Sequence, residues 1–548
     1  MADQLEATMP AVSLSDQLVN GLFNWVESRS RFGLSVLAFV LGALLSQAFA
    51  PTNFFPAVFI ALPVALLMLD RARIGKQAFA HGWWFGFGFF AVGLSWIAYS
   101  FTQQQNVPAA LAPFAVLALA AIMAVFPALA FWTTWRLKVG SVAKVCIFAA
   151  AWTLFEIARG FLFTGFPWHL LGAVWAEWLP VAQTAYWITV YGLSFLTIVS
   201  ASAFVLFLQL RPSLPTAAFA LTAFAVFPVL ALLGNARLEE NQTNFHLGIS
   251  LRLVQANVQQ DEKWRSHLID DHFETHMRLS RSGSNSKGGK AEGIKLLIWP
   301  ETAVQKETFD REGSLLRWRV SRLLEFGAYA ITGAPRYNSE DSELKYYNSL
   351  LAFNAKGKMY ARYDKNHLVP FGEYLPLAPL LKSIGLSQLA ELAGGSGWTR
   401  GNGLQTVTLP GIPKFSPLIC YEAIFPGQVI LPQERPEWML VLSNDAWFGM
   451  TDGPYQHLAL SRMRAIEEGL PMVRSTSTGV CAVIDSYGRT QSALGLGRQG
   501  TVESPLPKSI SAPAWPTGLR VFAVLMLSIG ILSVALIAMV VRARRGNS

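Results

Sequence analysis

Charge is what this sequence has least of. Asp, Glu, Lys and Arg make up 14% of its 548 residues, where a soluble domain carries about a quarter. A wholly soluble enzyme and a disordered chain are both excluded by that figure. Cysteine is nearly absent: three residues, Cys146, Cys420 and Cys481, which rules out a disulfide-stapled secreted scaffold. There is no HExxH, no CxxC pair and no phosphate-binding loop, so no metal or other cofactor is expected. Basic and aromatic residues do not interleave in the manner of a nucleic-acid surface, so no nucleic-acid partner is expected despite a net charge of +9.

Apolar residues are present in excess, at 52%, with a mean hydropathy of +0.35. They are unevenly spread. Only 17 of the 79 charged residues fall in the first 234 positions. One part of the chain suits lipid and the other suits water.

Seven apolar stretches, at about 33–50, 53–69, 80–100, 109–134, 145–160, 183–209 and 215–234, precede residue 235, and an eighth covers about 517–541. Most reach the ~20 residues that cross a hydrocarbon core as helix. Lys and Arg mark the side of each loop. Arg71, Arg73 and Lys76 follow the second stretch, Arg136, Lys138 and Lys144 the fourth, Arg211 the sixth, and Arg542, Arg544 and Arg545 the eighth. The alternate loops 101–108 and 161–182 carry no positive charge. The pattern predicts a cytoplasmic segment 1–31, a seven-helix membrane domain 32–235, a water-facing domain 236–510 on the outer face, an eighth membrane helix 515–541 and a cytoplasmic tail 542–548. The first 31 residues lack the form of a cleavable signal peptide.

Residues 247–506 read as an α/β domain. Short β-branched runs recur at 249–254, 294–299, 329–332, 349–353, 416–420, 439–442 and 479–484, and helical patterns at 262–280, 312–326 and 455–468 separate several of them. The polar stretch 280–290 reads as a flexible insertion. In the membrane part, 156–168 is unusual. Its aromatics suit an interfacial belt, while Glu156 and Arg159 share a helix face and could pair at the membrane edge.

Three segments carry chemistry. An apolar strand ends in WPETA (299–303), presenting Glu301. A second segment, YDKNHLVPFGEYLP (363–376), holds Lys365, Glu373 and Tyr374. A third apolar strand ends in ICYEAIFP (419–426), presenting Cys420. A thiol attacks well only as thiolate. A neighbouring carboxylate can take its proton and return it to a leaving group, and a tetrahedral intermediate needs a cation or N–H donors at its oxygen. Lys365 would supply the cation, and the Tyr421 backbone N–H a second donor. Each residue alone has a plainer reading: a solvated strand-end Glu, a surface Lys, a small core Cys. That plainer reading is applied to Cys146 and Cys481.

Together with their flanks, these segments resemble the nitrilase superfamily. With SNDAWFG (443–449), GPYQHLALSRMRAIEEGLPMVRSTSTG (453–479), TGFPW (164–168) and the eight apolar stretches, they resemble the apolipoprotein N-acyltransferase family more narrowly. The resemblance implies an eight-helix membrane bundle carrying a nitrilase-like four-layer αββα sandwich in a bacterial inner membrane, with both termini cytoplasmic and the catalytic domain periplasmic. It implies Glu301 as general base, Lys365 as oxyanion-stabilising cation and Cys420 as nucleophile. Glu373 matches a supporting glutamate of the family, and Trp264 a tryptophan near the site entrance. Tyr421, Glu422, Asn444, Asp445 and Trp447 are expected around the rim. Ser477 departs from the Asn common there.

By the same resemblance the substrates are a phospholipid acyl donor, phosphatidylethanolamine by family habit, and an apolipoprotein with an N-terminal diacylglyceryl-cysteine. The enzyme is expected to act as a monomer among membrane lipids. The apolar stretch 375–392, followed by Gly394, Gly395 and Gly397, reads either as a core helix or as a mobile lid dipping into the interface. A membrane-tethered nitrilase-like amidase shares the triad but gives no reason for eight helices. A transporter with an outer sensor domain would carry mid-span charges and paired broken helices, and neither is evident.

Overall fold

The computed structural model describes residues 29–103, 108–207, 212–281, 293–338, 345–374 and 397–545. The stretch 375–392 with Gly394 and Gly395, most of 280–290, and residues 1–28 lie outside the described residues.

Before residue 241 the described chain is helical. Among the described residues five helices are long and apolar enough to cross a membrane: Ala109–Leu137, Ser141–Thr164, Ala185–Phe207, Leu214–Glu240 and Thr517–Arg545. Arg31–Ser46 and Pro56–Asp70 are apolar but shorter. The stretch expected at 80–100 begins earlier, as a helix Gly75–Gly93, and breaks before a short helix Ile97–Thr102. Small residues let helices of this kind approach backbone to backbone. A Cβ on Gly42 would lie 1.9 Å from the Phe85 carbonyl oxygen, and one on Gly88 would lie 2.0 Å from that of Phe39. Arg31–Ser46 and Gly75–Gly93 are therefore in direct main-chain contact.

Residues 245–507 form two six-stranded mixed sheets. The first has the order β12-β1-β2-β3-β4-β5. It comprises β1 (Phe245–Gln255), β2 (Leu296–Ile298), β3 (Tyr329–Asn338), β4 (Lys345–Asn354), β5 (Met359–Asp364) and β12 (Gly500–Pro507). The second has the order β11-β10-β9-β8-β7-β6. It comprises β6 (Val407–Leu409), β7 (Ile412–Ile419), β8 (Trp438–Ser443), β9 (Met472–Thr476), β10 (Cys481–Ile484) and β11 (Thr490–Leu494).

Side chains alternate across a strand, and the central strands use both faces. Leu296 and Ile298 of β2, with Trp438, Leu440 and Leu442 of β8, fill the core between the sheets. Leu297 faces outward with Phe273, Met277 and Val320, from the helices Ile269–Arg281 and Leu315–Ser321. Met439 and Val441 face outward with Ala465, from the helix Gly453–Glu468. The result is a helix–sheet–sheet–helix stack. Burial on both faces explains why these strands read as continuous apolar runs.

Gly453–Glu468 also packs on the membrane helices. Gln456 Oε1 accepts from Trp96 Nε1 at 3.0 Å and from Trp168 Nε1 at 2.7 Å. Within Ala185–Phe207 the backbone breaks at Thr189, with φ 64° and ψ 172°. The Val190 N–H then donates to Glu467 Oε1 at 2.6 Å. A side chain of one domain thus caps a helix turn of the other, meeting a donor that the break would leave unsatisfied.

Replacing Gly88 with Val is expected to lower stability by about 1–3 kcal/mol through overpacking, read as a lower thermal unfolding midpoint in detergent. Gly530→Ala, where a Cβ meets open space, is the control and should leave the midpoint unchanged or raised. Equal midpoints for Gly88→Val and wild type would contradict the main-chain contact.

Candidate active site

The three segments singled out in the sequence converge at one end of the two sheets. Glu301 follows β2, in a turn that packs on β3. A Cβ on Gly333 of β3 would lie 2.4 Å from the Thr302 nitrogen and 2.6 Å from the Glu301 Cα, so only glycine lets the Glu301 turn come this close. Lys365 follows β5 directly, and Cys420 follows β7. Cys420 begins a 3-10 turn, Cys420–Ile424, with φ 52°. The left-handed backbone there turns the chain sharply at the strand end.

All three side chains are buried: Glu301 is 6% exposed, Lys365 1% and Cys420 7%. Lys365 Nζ donates to Glu373 Oε1 at 2.7 Å and lies 3.8 Å from Glu301 Oε1. Burial works to lower its pKa, but the Glu373 and Glu301 carboxylates outweigh it and hold Lys365 above the ordinary lysine range. The two carboxylates favour its charged form. Glu301 is oriented at both oxygens: Asn348 Nδ2 donates to Oε1 at 2.7 Å, and the Asn444 N–H donates to Oε2 at 2.6 Å. Burial pushes the Cys420 thiol up to about 12, the Glu301 charge pushes it the same way, and Lys365 opposes them. At neutral pH the sulfur keeps its proton until a base takes it.

The expected rim residues divide into distinct roles. Glu422 is 2% exposed and accepts from four donors. These are the Ile419 N–H at 2.7 Å, the Asn366 N–H at 2.8 Å, the His367 N–H at 3.0 Å and the Tyr363 hydroxyl at 2.8 Å. It ties the turn bearing Cys420 to the turn bearing Lys365. Glu373 closes its own loop, with Oε2 accepting from the Val369 N–H at 2.8 Å.

The Tyr421 side chain points away from the triad: its hydroxyl donates to the Gly165 carbonyl at 2.9 Å, in the membrane-domain segment TGFPW. His367 Nε2 is 2.7 Å from the Thr164 carbonyl, and the Tyr374 hydroxyl is 3.0 Å from Thr164 Oγ1. The candidate site therefore abuts the membrane domain. Trp447 is half-buried, and its carbonyl accepts from Ser100 Oγ at 2.7 Å. Trp264 is 45% exposed, and among the described residues no hydrogen bond or ring contact joins it to the triad. Ser477 Oγ donates to Asn444 Oδ1, so the residue that departs from the family pattern still supports Asn444.

The pairing of Glu156 and Arg159 is corrected. The two are buried but form no direct ion pair among the described residues. Each instead holds the loop that follows: Arg159 donates to the carbonyls of Phe166 at 2.7 Å and Trp168, and Glu156 accepts from the Leu171 N–H at 2.8 Å. Buried backbone groups of an irregular loop need such partners, and they take the hydrogen bonds that a direct pair would use.

Sequence reasoning missed a buried network under Cys420. Arg474 Nη2 donates to Asp445 Oδ2 at 2.5 Å and contacts His457 Nδ1 at 3.0 Å. His457 Nε2 is 3.2 Å from the Cys420 carbonyl. Burial, then Arg474, lower the His457 pKa, so the ring is neutral. A carbonyl can only accept, so Nε2 carries the hydrogen, while Nδ1 faces both Arg474 Nη2 and, at 3.3 Å, Asp445 Oδ1. Although burial opposes it, Arg474 holds Asp445 well below the usual carboxylate range. His457 and Arg474 lie in the segment 453–479 that carries the family resemblance, but nothing in the sequence joins them to Cys420, and Asn348 and Lys263 gave no signal of their own.

Two family models match consecutive parts of the chain. Residues 41–203 match the apolipoprotein N-acyltransferase N-terminal domain, and residues 251–512 match carbon-nitrogen hydrolase. The class is thus a carbon-nitrogen hydrolase fold joined to a membrane domain.

Three relatives are each named apolipoprotein N-acyltransferase. The one from Rhodopseudomonas palustris is 39% identical over 88% of this chain and 90% of its own. The one from Bradyrhizobium diazoefficiens is 39% identical over 87% and 90%. The one from Brucella melitensis is 33% identical over 92% and 95%. The chain belongs to the apolipoprotein N-acyltransferase family.

Replacing Arg474 with Met strands the buried Asp445 charge and should cost about 3–5 kcal/mol of stability. Adding Asp445→Asn to that variant should recover much of the loss in detergent thermal unfolding. Equal losses in the single and double variants would mean the pair is not coupled.

Proposed function

We propose that this chain transfers a fatty acyl group from a phospholipid, through a thioester on Cys420, to the α-amino group of the N-terminal diacylglyceryl-cysteine of apolipoproteins. The observation that carries this reading is the position of the Glu301–Lys365–Cys420 cluster. It is buried at one end of the two sheets, against a membrane-domain loop, where an acyl donor held in lipid has the shortest path to a thiol.

In the first half-reaction Glu301 takes the Cys420 proton as the sulfur attacks the ester carbonyl. Lys365 and the Tyr421 N–H stabilise the oxyanion. The intermediate collapses, the lysophospholipid oxygen leaves with the proton from Glu301, and the acyl chain stays on sulfur. In the second half-reaction the neutral α-amine attacks the thioester and gives its proton to Glu301. The C–S bond breaks, the proton returns to the Cys420 sulfur, and an amide is released. An amide replaces a thioester, so this half runs downhill.

Phosphatidylethanolamine is the proposed donor, and Trp264 a residue of the entrance. The membrane part, 32–235 and 515–541, is read as eight spans. The five long helices supply five of them, and Arg31–Ser46, Pro56–Asp70 and Gly75–Gly93 the rest. From the basic loops, residues 1–31 and 542–548 are read as cytoplasmic in a bacterial cell and the catalytic domain 236–510 as periplasmic. The enzyme is read as a monomer.

Intact-mass spectrometry of the purified protein with phospholipid vesicles tests the chemistry. Wild type should gain one fatty-acyl group that hydroxylamine removes. Cys420→Ala and Cys420→Ser should gain none, and Glu301→Gln should acylate about 10²–10⁴-fold more slowly. Rapid release of free fatty acid without an adduct would favour a hydrolase, and an adduct surviving in Cys420→Ala would place the nucleophile elsewhere.

A further inference from the structure

The proposed acyl transfer leaves one buried cation beside the triad unused. Lys263 ends the short helix Gln260–Lys263 and is 1% exposed. Its Nζ donates to the Glu301 carbonyl at 3.0 Å, and among the described residues it forms no ion pair. A buried ammonium without a counter-ion costs several kcal/mol, so its place beside the triad calls for a reason. The same helix reaches Glu301 a second time. Gln260 Oε1 accepts from Asn444 Nδ2 at 2.7 Å, and the Asn444 N–H donates to Glu301 Oε2 at 2.6 Å. One turn of helix thus holds the main chain of Glu301 directly and its carboxylate through Asn444.

We propose that Lys263 is a positioning residue for acylation of Cys420, fixing the turn that presents Glu301 and supplying the positive charge that balances the buried site.

The balance follows from the groups around it. Three buried carboxylates, Glu301, Glu373 and Glu422, surround Lys365, and Lys263 adds a second cation beside Glu301. When the proton moves from sulfur to Glu301, the negative charge passes the other way, from Glu301 to Cys420, and both cations remain. His272 and His276, on the helix Ile269–Arg281 beside it, have pKa values lowered by burial, His276 to about 4. Neither adds charge at neutral pH. Asp445 is compensated by Arg474. Lys263 itself is drawn down by burial to about 8, against the attraction of Glu301 and Cys420. Its charge is therefore present at neutral pH and fades just above.

The inference rests on the Cys420 thioester reading, and its test keeps the two apart. The single-turnover acylation rate of the full-length protein in phospholipid vesicles is followed by intact mass across pH, for wild type, Lys263→Met and Lys263→Arg. Thermal midpoints are measured alongside.

Wild-type acylation should fall as pH rises through about 8. Lys263→Met should acylate about tenfold or more slowly at pH 7, because a cation lost beside a thiol shifts it by about a unit or more, and its alkaline fall should disappear. Lys263→Arg should keep more of the neutral-pH rate and move the fall upward, since a guanidinium stays charged.

A Lys263→Met variant with the wild-type rate and alkaline fall would overturn the inference. So would a variant that loses thermal stability but keeps the wild-type pH profile, because Lys263 would then be a structural brace only. Absence of any adduct in wild type would overturn the thioester reading and the inference with it.

Discussion

A buried ammonium has to be neutralised where it lies, and much of the catalytic end of this protein follows from meeting that demand at Lys365. The Glu373 carboxylate sits 2.7 Å from Nζ and the Glu301 carboxylate 3.8 Å away. Desolvating either partner alone would cost more than the attraction returns, so both carboxylates carry further donors: Asn348 and the Asn444 N–H on Glu301, the Val369 N–H on Glu373. Those donors come from β4, from the turn after β8 and from the loop after β5. Fixing one charge therefore fixes three chain segments. Glu422 extends the arrangement by binding the Lys365 turn and the Cys420 turn with one carboxylate. Base, cation and sulfur keep their relative places because no one of these segments can shift without exposing an unmet buried charge.

The helix Gly453–Glu468 joins this cluster to the membrane. One face packs on the second sheet. Another, through Gln456 and Glu467, bonds to Trp96, Trp168 and the broken turn at Val190. His457 on the same helix donates to the Cys420 carbonyl, at the residue whose left-handed backbone most needs an external hold. The element that seats the α/β domain on the membrane helices is thus also the one that holds the Cys420 main chain. A tilt of one domain against the other would be felt at Cys420 through a single helix.

Much of this was legible in the sequence, for identifiable reasons. The α/β domain could be read because its central strands are buried on both faces and leave apolar runs: β1, β2, β3, β4, β7, β8 and β10 all coincide with runs expected from the sequence. The edge strands β5, β6, β11 and β12, and the central strand β9, whose Arg474, Ser475 and Thr476 break the apolar run, were not expected. Short pieces with few buried apolar positions, such as the exposed to half-buried Thr490–Leu494, leave no run to detect. Glu301, Lys365 and Cys420 could be singled out because each stands at or just past the end of a strand within a distinctive segment; the structure brings them together, and their catalytic roles are the proposal made above. Their helpers could not be singled out. Asn348 and Arg474 lie inside strands and Lys263 ends a one-turn helix, so only the packing of distant segments brings them to the triad. Glu156 and Arg159 show the opposite failure. Their spacing suited a pair, but the unsatisfied backbone of the next loop was the stronger claimant, and spacing alone carries no information about that competition.

Burial serves the proposed chemistry in two ways that pull against each other. It raises the Cys420 thiol to about 12, which makes a free thiolate scarce and requires Glu301 to take the proton during attack. The same burial keeps water from the carbonyl carbon, and a thioester that must wait for a second lipid-anchored substrate survives only if water is a poorer competitor than the amine. An enzyme that hydrolyses its acyl intermediate gains nothing from such exclusion, whereas a transferase depends on it. In that setting a cation matters more than it would in water, because the oxyanion has no solvent to share its charge with. Lys365, fixed between two carboxylates that favour its charged form, is suited to that role: its position is set before any substrate arrives.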